Sequence, residues 1–534
     1  KVGFFLDFGQ ITALFVFQIS SNRRPVAVRH RVFGMRSDHS NAVVCLDFRS
    51  PNGGLRRHRP GSKVFHPPFA HALLAFLAAW GAVISLASAQ PANRPKAVLH
   101  PAVFGFKIPP AAPQGADGVR VLASDAAGAQ AVAKVHVDVG SHRILLMPTG
   151  ELVARARNDT EETEKPFKAL TTDEMAAMLL KQFPSFRSKT TRRYACVYNT
   201  SEEFSTVTLR ILDTMLPGVR KHLDAQKLGV RDPELPLPVI MFRTQEEFRK
   251  FAPEAAGAVA FYHPVTNCIV MYEETSLYQV RRELAIGDSL STIAHEGAHQ
   301  ILHNIGLQQR LSIWPMWISE GIAEYFAPAS VGQRLQWKGV GQVNDLRMLE
   351  LELFLKGRDS ESAGQMVSDT VCAAKLTSTG YASAWSLTHY LAKHDRAALN
   401  RYLLELKQLG PLEGSMAARG GGARMEENVL QFQQHFGDNW TELESRLIEH
   451  LKKLPYHDPF ADLPHFVTLV AYGNGRKSKR DANIFHTREM AENWGRDCKR
   501  GVAEELQSSV EITVSAYPNR LEAAQRAKQW LRGN

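Results

Sequence analysis

The chain has 534 residues, 44% of them apolar and 22% charged, a composition that builds a sizeable folded core and excludes a disordered or fibrous chain. Its formal charge of +10 would suggest a nucleic-acid partner, but residues 1–89 alone carry eleven Lys and Arg against three Asp, a net of +8. Only +2 is left for everything beyond, so no nucleic acid is expected as a partner.

In chain order, residues 1–34 contain no Met, and Met35 is the first; residues 1–34 read as upstream sequence translated in error. Residues 35–89 read as an amino-terminal extension ending in a signal peptide. Arg56, Arg57, Arg59 and Lys63 precede the uncharged run AHALLAFLAAWGAVISLASAQ, with small residues Ala87, Ser88 and Ala89 at a cleavage position. The expected location is therefore outside the cytoplasm: periplasmic, cell-surface or extracellular. The run approaches the roughly 20 residues that span a bilayer, so an uncleaved amino-terminal anchor is the alternative, and a membrane is a partner only in that case. Cys196, Cys268, Cys372 and Cys498 follow the signal without a C-x-x-C pair; they form up to two disulfides or stay buried as free thiols.

Residues 90–168 mix short apolar runs, Val119–Leu122 and Arg143–Met147, with Gly, Pro and Asp clusters, the pattern of a β-rich leader. From residue 169 to 454 strands and helices alternate at first. YACVY (194–198), LPVIMF (237–242), AVAFYH (258–263) and NCIVMY (267–272) are strand-like, and helices are expected near 173–182, 202–226 and 246–251. Beyond Asp288 the pattern is helical, near 289–305, 315–326, 343–356, 380–393, 396–408, 425–435 and 438–453, with a flexible loop at Gly420–Gly422. Residues 455–465, rich in Pro and Asp, read as a linker, and 466–534 as a small α/β carboxy-terminal region. The fold class is thus α+β: a mixed sheet, then a mostly helical part, then an appendage. RKSKR (476–480) reads as a solvated loop.

The segment STIAHEGAHQILHNIGL (291–307) carries the chemistry. Leu290, Ala294, Gly297, Ala298, Ile301 and Ile305 recur at helical spacing as one buried stripe, with Asp288 or Ser289 as cap and Gly306 as terminator. His295 and His299 lie one turn apart on one face, where two imidazoles reach one metal ion, and Glu296 between them can reach a water. Two ligands do not complete a catalytic site. WPMWISEGIAEYF (314–326) supplies Glu320 as the third, on a helix opened by Pro315 and stopped by Pro328. Glu324, one turn on, is placed to accept the outward N–H of a ligand histidine. His303 shares the histidine face, but a fourth protein ligand would close the position water needs; it reads as packing or solvent-exposed.

HEGAH followed by WISEGIAEY resembles the gluzincin metallopeptidases, the thermolysin and aminopeptidase clan with peptidase-MA-like domains. More narrowly, the pair is similar to that of an exported bacterial family of unknown function with HExxHQ and WxSEGxAEY motifs. The resemblance runs over about 169–454. It implies one Zn²⁺ held by His295, His299 and Glu320, with Glu296 as general base in hydrolysis of a peptide or protein substrate. It also implies an oxyanion-stabilising tyrosine at the start of a later helix, where YASAWSLTHYL (381–391) offers Tyr381; His389 reads as a surface residue. Where aminopeptidases of the clan carry Gly-x-Met-Glu-Asn, this chain has CIVMYE (268–273). That strand is expected to pair with a peptide by its edge, without an amine-binding glutamate. The alternative reading is an exported, non-catalytic binding or scaffold protein that keeps the fold.

Overall fold

A computed structural model of the chain describes residues 97–124, 128–255, 258–274, 282–330, 335–356, 362–414, 422–473 and 479–532. The run that reads as a signal peptide, Met35 and the loop expected around Gly420 lie outside the described residues. Architecture is mixed, with β-sheets in the amino-terminal part and helices after them.

After the short strand β1 (Ala97–Val98), the first sheet comprises β2 (Arg120–Ser124), β3 (Gln130–Val139), β4 (His142–Leu146), β5 (Leu152–Ala156) and β6 (Glu161–Glu162). It is antiparallel throughout, in the order β5-β4-β3-β2-β6, with an irregularity between Val135 and Val137. The alternation expected of an antiparallel sheet with one buried face sends Val137, Val139, Ile144 and Leu152 into a core shared with Val265, Leu311 and Leu412. β1 pairs with β14 (Glu413–Gly414), so this leader is packed into the later part of the chain at two places.

The second sheet follows α1 (Thr172–Gln182) and runs β7 (Arg187–Thr190), β8 (Tyr194–Tyr198), α2 (Glu202–Ala225), β9 (Leu237–Phe242), α3 (Gln245–Phe251), β10 (Ala260–His263) and β11 (Cys268–Tyr272). Strand order is β10-β11-β9-β8-β7. β11, β9 and β8 are parallel, and the two outer strands antiparallel. The inner strands are apolar and buried along their whole length because both faces are covered. Tyr194, Cys196, Val239, Met241 and Ile269 join one core, and Ala195, Val197, Ile240, Phe242 and Val270 the other. One expectation is corrected here: CIVMYE is not an edge. The β10–β11 hairpin folds back on itself, so β11 has neighbours on both sides and the outer position falls to β10. Glu273 has a structural task, accepting the Ser201 N–H at 2.7 Å beside the start of α2.

The helical part comprises α4 (Arg282–Asn304), α5 (Met316–Phe326), α6 (Asp345–Lys356), α7 (Gln365–Cys372), α8 (Ser378–His394), α9 (Arg396–Leu406), α10 (Gly422–Phe436) and α11 (Trp440–Lys452). A two-stranded ribbon, β12 (Ala329–Ser330) with β13 (Gln336–Trp337), follows α5. α4 begins at Arg282, so the cap expected at Asp288 or Ser289 is inside the helix; Gly306, at φ 79°, closes it as expected. The carboxy-terminal region is an antiparallel sheet in the order β16-β15-β17, formed by β15 (His465–Tyr472), β16 (Lys479–Phe485) and β17 (Glu511–Tyr517), with α12 (Arg488–Gly501) and α13 (Arg520–Leu531). All four described cysteines are free thiols, and Cys196 and Cys268 belong to cores on opposite faces of the second sheet. Among the described residues no helix is long and apolar enough to cross a membrane.

Candidate metal centre

α4 is held on both sides. Ile293, Ala294, Ala298, Ile301 and Leu302 sit in the large core, and Gly297 is where α2 comes closest: a β-carbon there would stand 2.5 Å from Leu212 Cδ2. α5 is buried from Trp317 to Phe326, and it too touches its neighbour through a glycine. A β-carbon on Gly321 would collide with Thr388 Oγ1 and lie 2.6 Å from the Ala384 carbonyl of α8. These close approaches fix both helices, and with them the side chains between.

His295, His299 and Glu320 converge as a buried group able to hold a metal ion. Nε2 of His295 and Nε2 of His299 are 3.2 Å apart, and Glu320 Oε2 stands 3.2 Å from the first and 3.5 Å from the second. Donors about 2.0–2.1 Å from a tetrahedral ion stand roughly 3.3 Å from one another, so the spacing fits an ion shared by all three. Glu320 Oε1 is buried with no hydrogen-bond partner, a costly state for a carboxylate that lacks a cation.

Behind this group stands a second layer. Glu324 Oε1 lies 3.2 Å from His295 Nδ1, the position that orients a ligand histidine and sets its tautomer. Glu324 is itself held by Arg347 at 2.6 Å and by the side-chain amide of Asn344 at 3.0 Å, and Arg347 also reaches Glu350 at 2.8 Å. Arg347 and Asn344 carry no signal in the sequence, because NDLRMLELE offers only a helical period. Burial alone would raise the Glu324 and Glu320 carboxyls; Arg347 beside the first and His299 and His295 beside the second bring both down to about 2. Burial would likewise lower His295, yet hydrogen bonds to Glu320 and Glu324 raise it to about 10 when no metal competes.

Glu296 points elsewhere. It is 3% exposed, its Oε2 accepts the Tyr262 backbone N–H of β10 at 2.8 Å, and burial raises its carboxyl above the ordinary range. Tyr381 joins the group from α8, its ring centroid 6.0 Å from that of His295 and 5.4 Å from the Arg347 guanidinium. Burial, reinforced by the Glu320 and Glu296 carboxylates, raises its phenol well above its ordinary value and keeps it a proton donor.

The other two histidines resolve differently. His303 is buried at 8% exposure and stacked on Tyr262 at 5.4 Å, and burial lowers it to about 3; it packs as a neutral ring outside the ligand group. His389 is 1% exposed and not a surface residue: its ring nitrogens bond to His450 at 2.9 Å and to the Gly341 carbonyl at 3.3 Å. Helix α8 has neighbours on several sides, and position 389 faces one of them. Beside Glu320 opens a small cleft, lined by Phe104, Pro264, His303, Trp314 and Met316 among others. Phe104 comes from the leader.

The arrangement is a buried group of side chains that could hold a metal ion. Residues 289–413, which contain both motifs and Tyr381, match a family described as a protein of unknown function (DUF1570). No curated protein matches the chain.

Proposed function

We propose that the chain is an exported zinc-dependent peptidase of the gluzincin type, acting on peptide or protein substrates. One observation carries this reading: three ligand atoms lie within 3.2–3.5 Å of one another, and a further acid, Glu296, stands on the helix of the two histidines without belonging to the ligand group. An ion can be held without that acid, whereas hydrolysis by a metal-activated water calls for a base beside the ligands.

When bound, zinc would supply Lewis acidity toward a carbonyl and lower the pKa of water toward neutrality. Glu296 takes the proton as general base; its raised pKa brings it nearer the operating pH, where such a base works best. Tyr381 offers its O–H to the developing oxyanion, and Glu324 with Arg347 keeps His295 oriented. The cleft beside Glu320, with Phe104, Trp314 and Met316 in its walls, receives a substrate side chain, so the segment 90–168 works with 169–454 as one unit. Export rests on the signal-like run before residue 90.

The test is zinc content and cleavage of casein and a peptide library by wild-type protein, with Glu296→Gln and Tyr381→Phe alongside. Glu296→Gln should keep zinc and fold and lose about 10²–10⁴-fold in turnover. Tyr381→Phe should lose about 10²–10³-fold. Undiminished cleavage by Glu296→Gln would refute the mechanism. Zinc bound with no cleavage by any form would leave the non-catalytic scaffold as the better reading.

A further inference from the structure

A second cluster of metal-ligating side chains lies near the carboxy terminus. Asp458, His465 and His486 each bring one ligand atom to within 4.8 Å of the others. They come from three separate segments: the stretch after α11, the first residue of β15, and the turn after β16. The side chains of His465 and Asp458 are only 1% and 4% exposed.

The nitrogens are arranged for a ligand. His465 Nδ1 donates to the Leu463 carbonyl at 2.7 Å, which fixes the proton on Nδ1 and leaves the Nε2 lone pair turned inward. Nε2 is buried without a hydrogen-bond partner, 3.6 Å from Asp458 Oδ2. His486 Nδ1 is also buried without a partner, and the two rings meet edge to face at 4.6 Å. Two orphaned imidazole nitrogens beside one carboxylate are an expensive arrangement unless a cation satisfies them together. Asp458 is already oriented, its Oδ1 accepting the Phe460 N–H at 2.9 Å and its Oδ2 an Arg520 N–H at 2.6 Å. Arg520 is paired in addition with Glu352 of α6. Two carboxylates against one guanidinium leave a net negative charge next to the imidazoles.

We propose that Asp458 Oδ2, His465 Nε2 and His486 Nδ1 bind one divalent ion of the zinc type, which two imidazoles and a carboxylate suit. The ion is structural. It ties the segment after α11 to β15 and β16, and through Arg520 and Glu352 it fastens the carboxy-terminal sheet to α6, the helix that also carries Arg347.

The experiment counts zinc per chain by elemental analysis after stripping and reloading the full-length protein, in four forms: wild type, His486→Ala, His295→Ala/His299→Ala, and the triple variant. Folding is checked by circular dichroism. The α4 double variant should keep one equivalent, and adding His486→Ala should remove it; in the wild-type background His486→Ala should lower the count by one. An α4 double variant that binds no zinc overturns the proposal, as does a His486→Ala change that leaves either count unaltered. Because the double variant lacks the α4 centre, this outcome does not depend on whether the chain is a peptidase.

Discussion

The α4–α5 centre and the Asp458 cluster use the same donors, two imidazoles and a carboxylate; the first is buried throughout, whereas in the second His465 is buried and Asp458 and His486 are half-buried. Their settings differ. In the first, all three ligands come from two consecutive helices, a further acid stands on the ligand helix, and a cleft opens beside Glu320. In the second, each ligand comes from a different segment, and the carboxylate of Glu352 is paired with Arg520. Reaction chemistry needs an acid left out of the ligand set and room for a substrate; a clamp needs only that its ligands belong to pieces of chain worth holding together. Donor type therefore says little about role, and the surroundings of the donors say most.

That contrast breaks most sharply at Arg347. Its guanidinium is the charge partner of buried Glu324, so Arg347→Met leaves a carboxylate in the interior with only Asn344 and His295 beside it. Breaking such a pair costs about 3–5 kcal/mol, and loss of the layer behind a ligand histidine typically costs about 10–100-fold in metal affinity. Urea unfolding and zinc titration should show both effects at the α4 centre, with the equivalent at His465 retained. Unchanged affinity at the α4 centre would mean that Glu324 does not depend on Arg347 to hold His295.

The next effect tests the scaffold rather than the ligands. Gly321→Ala forces α5 away from the Ala384 carbonyl and Thr388 of α8, and such overpacking costs about 1–3 kcal/mol. Because Glu320 is the preceding residue, zinc affinity should fall with stability. A variant as stable as wild type would show that α5 and α8 can separate without strain. The Asp458 cluster should again be untouched.

What the sequence made legible divides along the same line. The histidine helix and the place of Glu324 are legible because helical periodicity turns spacing into geometry: four residues is one turn, and a carboxylate one turn beyond Glu320 falls behind His295; Glu320 itself, on the next helix, is legible only through the second motif and the resemblance it carries. YACVY and LPVIMF are strands at the expected residues because buried parallel strands write themselves as unbroken apolar runs. Other elements left no such trace. β16 begins KRDA, charged and exposed; α12 buries only Ala491 and Gly495; α7 is eight residues long. Asp458 and His465 fall in the stretch that reads as a linker and His486 in the carboxy-terminal region, because three ligands that share no spacing leave no pattern. Arg347 was silent for a related reason, since a charge on an amphipathic helix looks alike whether it meets solvent or a buried carboxylate.

The smallest effect, taken per pH unit, concerns protons at the α4 centre of the metal-free protein. His295 is raised from 6.5 to about 10, so its contribution to stability is complete below pH 6.5 and is lost as pH rises through 10. Glu320 and Glu324 are lowered from 4.5 to about 2, so theirs is complete above pH 4.5 and is lost as pH falls through 2. The share of stability that these three groups supply should therefore be fullest between pH 4.5 and 6.5 and fall toward pH 10, read as the difference between stripped wild type and stripped His295→Ala, with a slope no steeper than about 1.4 kcal/mol per unit for one proton. Zinc reverses the alkaline limb, because a ligand histidine must give up its proton: uptake should release a proton near neutral pH, and affinity should rise with pH. Calorimetry of zinc binding in two buffers of different ionisation enthalpy measures that proton directly. A difference from stripped His295→Ala that does not shrink between pH 6.5 and 10 would show that His295 is neutral in the stripped protein, and the ion pair with Glu320 and Glu324 would then not exist.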